Sequence, residues 1–133
     1  MHDDKSEMFG CEECWPRAAA AAWEATRKLS FEAELIDESH FHVVIRSCSL
    51  CSQRFISVFT ETIDWADGED PQSWTVLPIT PREASELKGH GGSLTEDAIN
   101  SLPYTRRSLR RDFPKNEAPR AAWSSGLLVD AHD

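Results

Sequence analysis

Four cysteines stand in two C-x-x-C pairs, Cys11 and Cys14 in G-C-E-E-C-W and Cys48 and Cys51 in R-S-C-S-L-C-S. Two intervening residues let a tight turn aim both sulfurs at one ion, and two such turns complete the tetrahedral four-thiolate shell that zinc accepts. There is no fifth cysteine, so the set is complete. The expectation is one structural zinc on Cys11, Cys14, Cys48 and Cys51. With every position taken by a thiolate, such an ion has no place for a reactive water, and metal-assisted hydrolysis is not expected. Two other chemistries share these residues. A redox dithiol at Cys11 and Cys14 would suit the Pro16 and alanine run that follow. Yet no strand precedes the motif, and Glu12 and Glu13 would raise the thiol pKa values by like-charge repulsion. Iron also takes four thiolates, and geometry does not separate the metals. A divalent ion on four thiolates leaves a charge of about −2, which Arg17, Arg46 and Arg54 are near enough in sequence to offset.

Beyond the cysteines, the chemistry-bearing residues are scattered. Of five histidines, His40 and His42 lie beside a predicted strand and are the candidates for an enzyme's general base, which would need a carboxylate or hydroxyl in reach. No nucleophile elbow, phosphate loop or dinucleotide fingerprint is present. Asp64, Asp67, Glu69 and Asp70 gather hard oxygens in one short stretch, without the spacing of an EF-hand, and read as a solvated turn or a patch for a basic partner. Arg106, Arg107, Arg110 and Arg111 would suit phosphate contacts and are the candidate nucleic-acid-binding set. Tyr104 and Phe113 are the only aromatics beside them in sequence, fewer than single-stranded binding favours. Pairing of this basic segment with an acidic body is an equally physical reading.

The two knuckles and the strands after the second, roughly residues 8 to 63, resemble the zinc-ribbon superfamily. In that class two C-x-x-C knuckles clamp a metal beside a small antiparallel sheet. The resemblance implies a metal and a scaffold, and no single activity, because its members include nucleic-acid binders, enzyme appendages and protein adaptors. The pattern departs at the positions that follow each cysteine. Zinc ribbons often carry proline and glycine there, whereas this chain has Glu12, Trp15, Ser49 and Ser52. Glycine eases a left-handed turn, so the first knuckle is expected to be shaped differently. As a whole the chain resembles small bacterial proteins, which implies no activity.

These residues must be positioned by a modest scaffold. The 33 residues between the pairs are too many for a simple loop, so a folded element belongs between them. Pro16 and the alanines up to Ala22 predict a helix ending near Leu29, with Ala19, Ala22, Trp23 and Thr26 on one face and Trp23 as a core residue. Period-two alternation predicts strands over 31–35, where the residues could also extend the helix, and over 41–46, 54–63 and 73–79, with 41–46 and 54–63 forming a hairpin with a knuckle at its tip. Pro78 restricts the last to an edge or an end. Thr80-Pro81-Arg82-Glu83 is a capping box, and Ser93 or Thr95 caps a second short helix.

The 133 residues fit one α+β domain: a zinc-ribbon-like antiparallel sheet of three to five strands, an N-terminal helix, and two short helices after the sheet. Its bounds are expected at 1–103, with 104–133 a basic segment packed on the same domain. Charge supports that division, with 8 basic and 19 acidic residues up to 103 (net −11) and 6 and 4 after it (net +2). The overall −9 disfavours diffuse capture of nucleic acid or anionic lipid. No apolar run is long enough for a membrane helix, and the start, Met1-His2-Asp3-Asp4-Lys5, is acidic where a secretory signal is basic. A cytoplasmic location with reduced thiols is therefore expected. Five tryptophans exceed what a small core requires, and aromatic and arginine side chains favour interfaces. The leading expectation is a zinc-bearing protein-interaction module, with possible self-association. Nucleic-acid binding comes second and an enzyme using His40 or His42 third.

Overall fold

A computed structural model describes residues 9–68, 70–91, 94–115, 117–127 and 129. Helix α1 (Ala19–Thr26) leads into strands β1 (Ser30–Glu38), β2 (Phe41–Ser47), β3 (Arg54–Glu61) and β4 (Gln72–Ile79). Helices α2 (Pro81–Gly89) and α3 (Glu96–Asn100) follow, then strands β5 (Arg107–Phe113) and β6 (Arg120–Ser125). The strands form one sheet in sequence order, every neighbour antiparallel.

The expected zinc-ribbon-like sheet of three to five strands is corrected by this topology. Six strands are present, and the last two come from the segment after residue 104, for which no strand was expected. The physical reason lies in how β5 satisfies its arginines. They project to both faces and find partners on each, so the apolar alternation that marks a strand is hidden in the sequence. Only Ser108 and Leu109 are buried in β5.

Alternation divides the sheet into two unlike faces. Phe41, Val43 and Ile45 of β2 stand with Ile56 and Val58 of β3 and with Leu77 and Ile79 on one face. Ala84 and Leu87 of α2, with Ile99 of α3, seal that face. The capping box forms as expected, Glu83 N–H donating to Thr80 Oγ1 at 3.1 Å and Thr80 N–H to Glu83 Oε1 at 2.8 Å. Thr95 caps α3; its alternative, Ser93, lies outside the described residues. The other face carries Phe55, Val76 and Leu109, covered by Trp15, Ala22 and Leu29. Helix α1 begins at Ala19, three residues after Pro16, because Cys11 to Trp15 are spent in a turn closed by Trp15 N–H donating to the Cys11 carbonyl at 2.8 Å. It is short and covers only part of its face.

Pro78 sits in a central strand without penalty. β4 pairs with β5 only from Gln72 to Val76, so the N–H that proline lacks falls where no β5 partner exists. The β1 edge is interrupted by register shifts between Phe31 and Ala33 and between Glu34 and Ile36. Those shifts and its carboxylates guard it against further strand pairing. Among the described residues no helix is long and apolar enough to cross a membrane.

Candidate metal centre

The first knuckle precedes α1 and the second joins β2 to β3, so the hairpin carries one pair of sulfurs and packs the other pair against its tip. Adjacent sulfurs are 3.7 Å apart for Cys11 and Cys14, 3.9 Å for Cys11 and Cys48, and 3.8 Å for Cys14 and Cys51. All four lie within 4.8 Å of one another. A tetrahedral shell with metal–sulfur bonds of about 2.3 Å places its sulfurs about 3.8 Å apart, so the donor set fits one metal ion. The same geometry accepts zinc or iron.

Backbone donors support the shell. Cys11 N–H points at Cys14 Sγ at 3.2 Å and Leu50 N–H at Cys48 Sγ at 3.4 Å, the donors a negatively charged thiolate cluster needs. A backbone hydrogen bond from Cys14 brings the Cys11 thiol down to about 7. Burial pushes the Cys14 and Cys51 thiols up. A metal supplies the charge that keeps such thiols deprotonated.

The knuckles differ from the zinc-ribbon pattern where the sequence departs from it. Ser52 takes the left-handed conformation, φ +68°, at the position where glycine is usual. In the first knuckle the glycine precedes the cysteine. Gly10 has φ +72°, and a Cβ there would lie 2.9 Å from Cys14 Sγ and 2.8 Å from Trp15 Cβ. Trp15 takes the place of a turn glycine and is buried against Phe55 and Trp123, with ring centroids 5.1 and 5.0 Å away.

Gln53 was not legible as a positioning residue. Its Oε1 accepts from Gly10 N–H at 3.0 Å, and its Nε2 donates to the carbonyls of Arg54 and Ile79, both at 2.8 Å. It ties the first knuckle to the ends of β3 and β4. The only available signal was its place two residues after Cys51.

Two of the arginines expected to offset the thiolates have other surroundings. Arg54 donates from Nε to both carboxylate oxygens of Glu32, at 2.9 and 3.0 Å. Arg46 lines cavities on the α1 side of the sheet. Arg107 stacks on the rings beside the first knuckle, its guanidinium 4.0 Å from the Trp123 ring centre and 5.9 Å from that of Trp15.

Strand alternation separates the four arginines of the candidate nucleic-acid set. Arg106 is bidentate to Glu83 of α2 at 2.7 and 3.2 Å and lies 4.6 Å from the Phe9 ring centre. Burial alone would raise the Glu83 pKa, but Arg106 and the Thr80 N–H hold it below the ordinary glutamate value. Arg110 shares that side of the sheet, bonded to Asp112, Thr75 and Ser73. Arg107 and Arg111 turn to the α1 side, Arg111 over Phe113 at 4.7 Å and Trp23 at 5.5 Å.

The acidic stretch is likewise tied to the C-terminal segment. Lys115 Nζ is 2.9 Å from Asp64 and 2.7 Å from Asp67, and Asp70 Oδ1 accepts from Asp64 N–H at 2.7 Å. The Lys115 ammonium holds the Asp64 carboxyl below its usual range. Glu69 lies outside the described residues.

His40 Nδ1 is 3.0 Å from Glu61 Oε1 and His42 Nδ1 is 3.1 Å from Asp37 Oδ1. Among the described residues no hydroxyl or thiol is hydrogen-bonded to either ring. Compared with known proteins, the chain matches no family model, no curated protein and no solved structure.

Proposed function

We propose that the chain is a small binding module with one structural zinc on Cys11, Cys14, Cys48 and Cys51, and that its metal-bearing end docks a partner protein. The observation that carries the metal is the closed sulfur set, spaced as a tetrahedral thiolate shell. The shell fits zinc or iron alike; zinc is the ion proposed because it demands no particular geometry and no redox partner. Zinc here joins the chain ahead of α1 to the β2–β3 hairpin and acts on stability, because four thiolates leave no position for a substrate.

The docking part rests on the surface beside the knuckles. Leu50 at the tip is 72 % exposed. Beside it a cavity of about 640 Å³ is lined by Pro16, Ala21, Ala25 and Leu29, with Glu12, Glu13 and Glu24 outnumbering Lys28 at its walls. An apolar side chain flanked by basic residues is the complementary partner chemistry. Self-association through the same end would need a basic segment on the second copy.

The test is comparative capture from native cells with the wild-type chain and two variants, Leu50→Asp and Glu12→Lys/Glu13→Lys. Loss of one protein in both variants, with zinc content kept, supports docking at this end; retention of every captured protein contradicts it. Sedimentation of the purified chain reads self-association directly.

A further inference from the structure

The half of the α1-side face that α1 leaves open is not an apolar remnant. Two adjoining cavities of about 280 and 290 Å³ lie over β2, β3 and β4 and share Arg46, Ser57 and Trp74 in their walls. Trp23 and Arg27 complete the first; His42 and Phe59 complete the second. A row of rings crosses this surface, with Phe59 and Trp74 centred 4.8 Å apart, His42 5.5 Å from Phe59, and Trp23 5.4 Å from Trp74.

Charge singles the place out. The chain has 23 acidic and 14 basic residues, yet no carboxylate lines either cavity while two guanidiniums do. Two other cavities are richer in carboxylates, with Glu83 and Glu86 in one and Glu12, Glu13 and Glu24, beside Lys28, in another. Among the described residues Arg46 has no carboxylate partner. At the end of the ring row Arg111, beside Trp74 in register, has a buried Nε with no hydrogen-bond partner.

From this arrangement we infer that the groove binds a nucleotide, its base against the Trp23, Trp74 and Phe59 rings and its phosphate on Arg46 and Arg27. Arginine pairs with phosphate oxygens through a planar fork, and aromatic faces accept any base by stacking. A mononucleotide fits better than a nucleic-acid strand because carboxylates stand where a strand would leave. Glu24 lies beside Arg27 at 3.6 Å, Asp37 beside His42 at 3.1 Å, and Glu34 opposes Val44 at the β1 border. This site is separate from the knuckles, and its failure would leave the zinc and docking proposals untouched.

The zinc-loaded chain is titrated with AMP, UMP, adenosine, inorganic phosphate and a 20-nucleotide oligo(dU), following tryptophan fluorescence and heat. Saturable quenching by AMP or UMP at sub-millimolar concentration is expected, with adenosine weaker by about tenfold for want of the charged contact. Arg46→Ala should weaken AMP by about tenfold or more, and Arg27→Ala by a smaller factor because Arg27 is the more exposed. Zinc content and melting temperature verify each variant, and Arg27→Ala keeps the test decisive should Arg46→Ala unfold. No saturable response to either nucleotide up to about 5 mM, or affinity unchanged in the folded arginine variants, overturns the inference. Tighter binding of the oligonucleotide than of UMP overturns it in favour of a strand.

Discussion

The two faces of the sheet are built from the same strands to opposite ends. In β3, Ile56 and Val58 point to the side sealed by α2 and α3 and are fully covered by aliphatic neighbours. Their chain neighbours Ser57 and Phe59 point the other way and are only partly covered. One face is a continuous aliphatic core. The other is assembled from unlike parts: the metal knuckles and α1 over β5 and β6, and an open aromatic and arginine groove over β2 to β4. Burial is concentrated on the first face and around the cysteine cluster, while the groove and the knuckle tip at Leu50 stay open.

That contrast can be broken most severely at the metal. Chelation, or Cys48→Ser, should abolish the cooperative thermal transition, since structural zinc contributes on the order of 10 kcal/mol in small sites, comparable with the stability of a whole domain. Calorimetry with and without chelator reads this; an unchanged transition would mean that the α1-side face does not depend on the ion.

Within β3 the faces are compared directly by denaturant unfolding. Ile56→Ala should cost about 3 to 4 kcal/mol, because the cavity it leaves is walled by α2 and the sheet. Phe59→Ala should cost about 1 kcal/mol, because one side of its ring is already open. Equal losses would erase the distinction.

The pairing of Arg106 with Glu83 fastens β5 to α2 on the sealed face. Arg106→Ala should cost about 3 kcal/mol by stranding a half-buried carboxylate. The pH dependence has a definite sign. Glu83 titrates lower folded than unfolded, so its contribution is full above the ordinary glutamate pKa and is lost as pH falls through the depressed folded value. Glu83→Gln should flatten the acid limb of a stability–pH curve, and an unaltered limb would contradict the pairing.

Smaller effects sharpen the metal end. Gln53→Ala removes three hydrogen bonds around the knuckles and should lower metal affinity about tenfold in a chelator competition. Ser52→Gly should raise stability by up to about 1 kcal/mol, since a left-handed serine costs more than the extra entropy of glycine.

The cysteine pairs and strands β2 to β4 were legible because their signals are local: a two-residue spacing, and apolar side chains at every second position. β5 and β6 were not. Arg107 and Arg111 lie on rings, Arg106 and Arg110 on carboxylates and hydroxyls, so a strand with charge on both faces reads as a basic loop. Ala121 and Trp123 alone mark the apolar side of β6, and Trp123 Nε1 donates to the Arg17 carbonyl at 2.7 Å, 106 residues away. The groove was hidden because its residues come from four elements: sheet register sets Arg46, Ser57 and Trp74 side by side, and the packing of α1 on the sheet lays Trp23 beside them.

One ion holding Cys11, Cys14, Cys48 and Cys51 as a single shell is what the proposed module depends on. Metal analysis of the reduced, purified chain, with X-ray absorption at the zinc edge, tests this most directly. One zinc per chain surrounded by four sulfurs at about 2.3 Å is expected. A metal-free reduced chain that still folds cooperatively, or a shell with nitrogen or oxygen among its ligands, would contradict it.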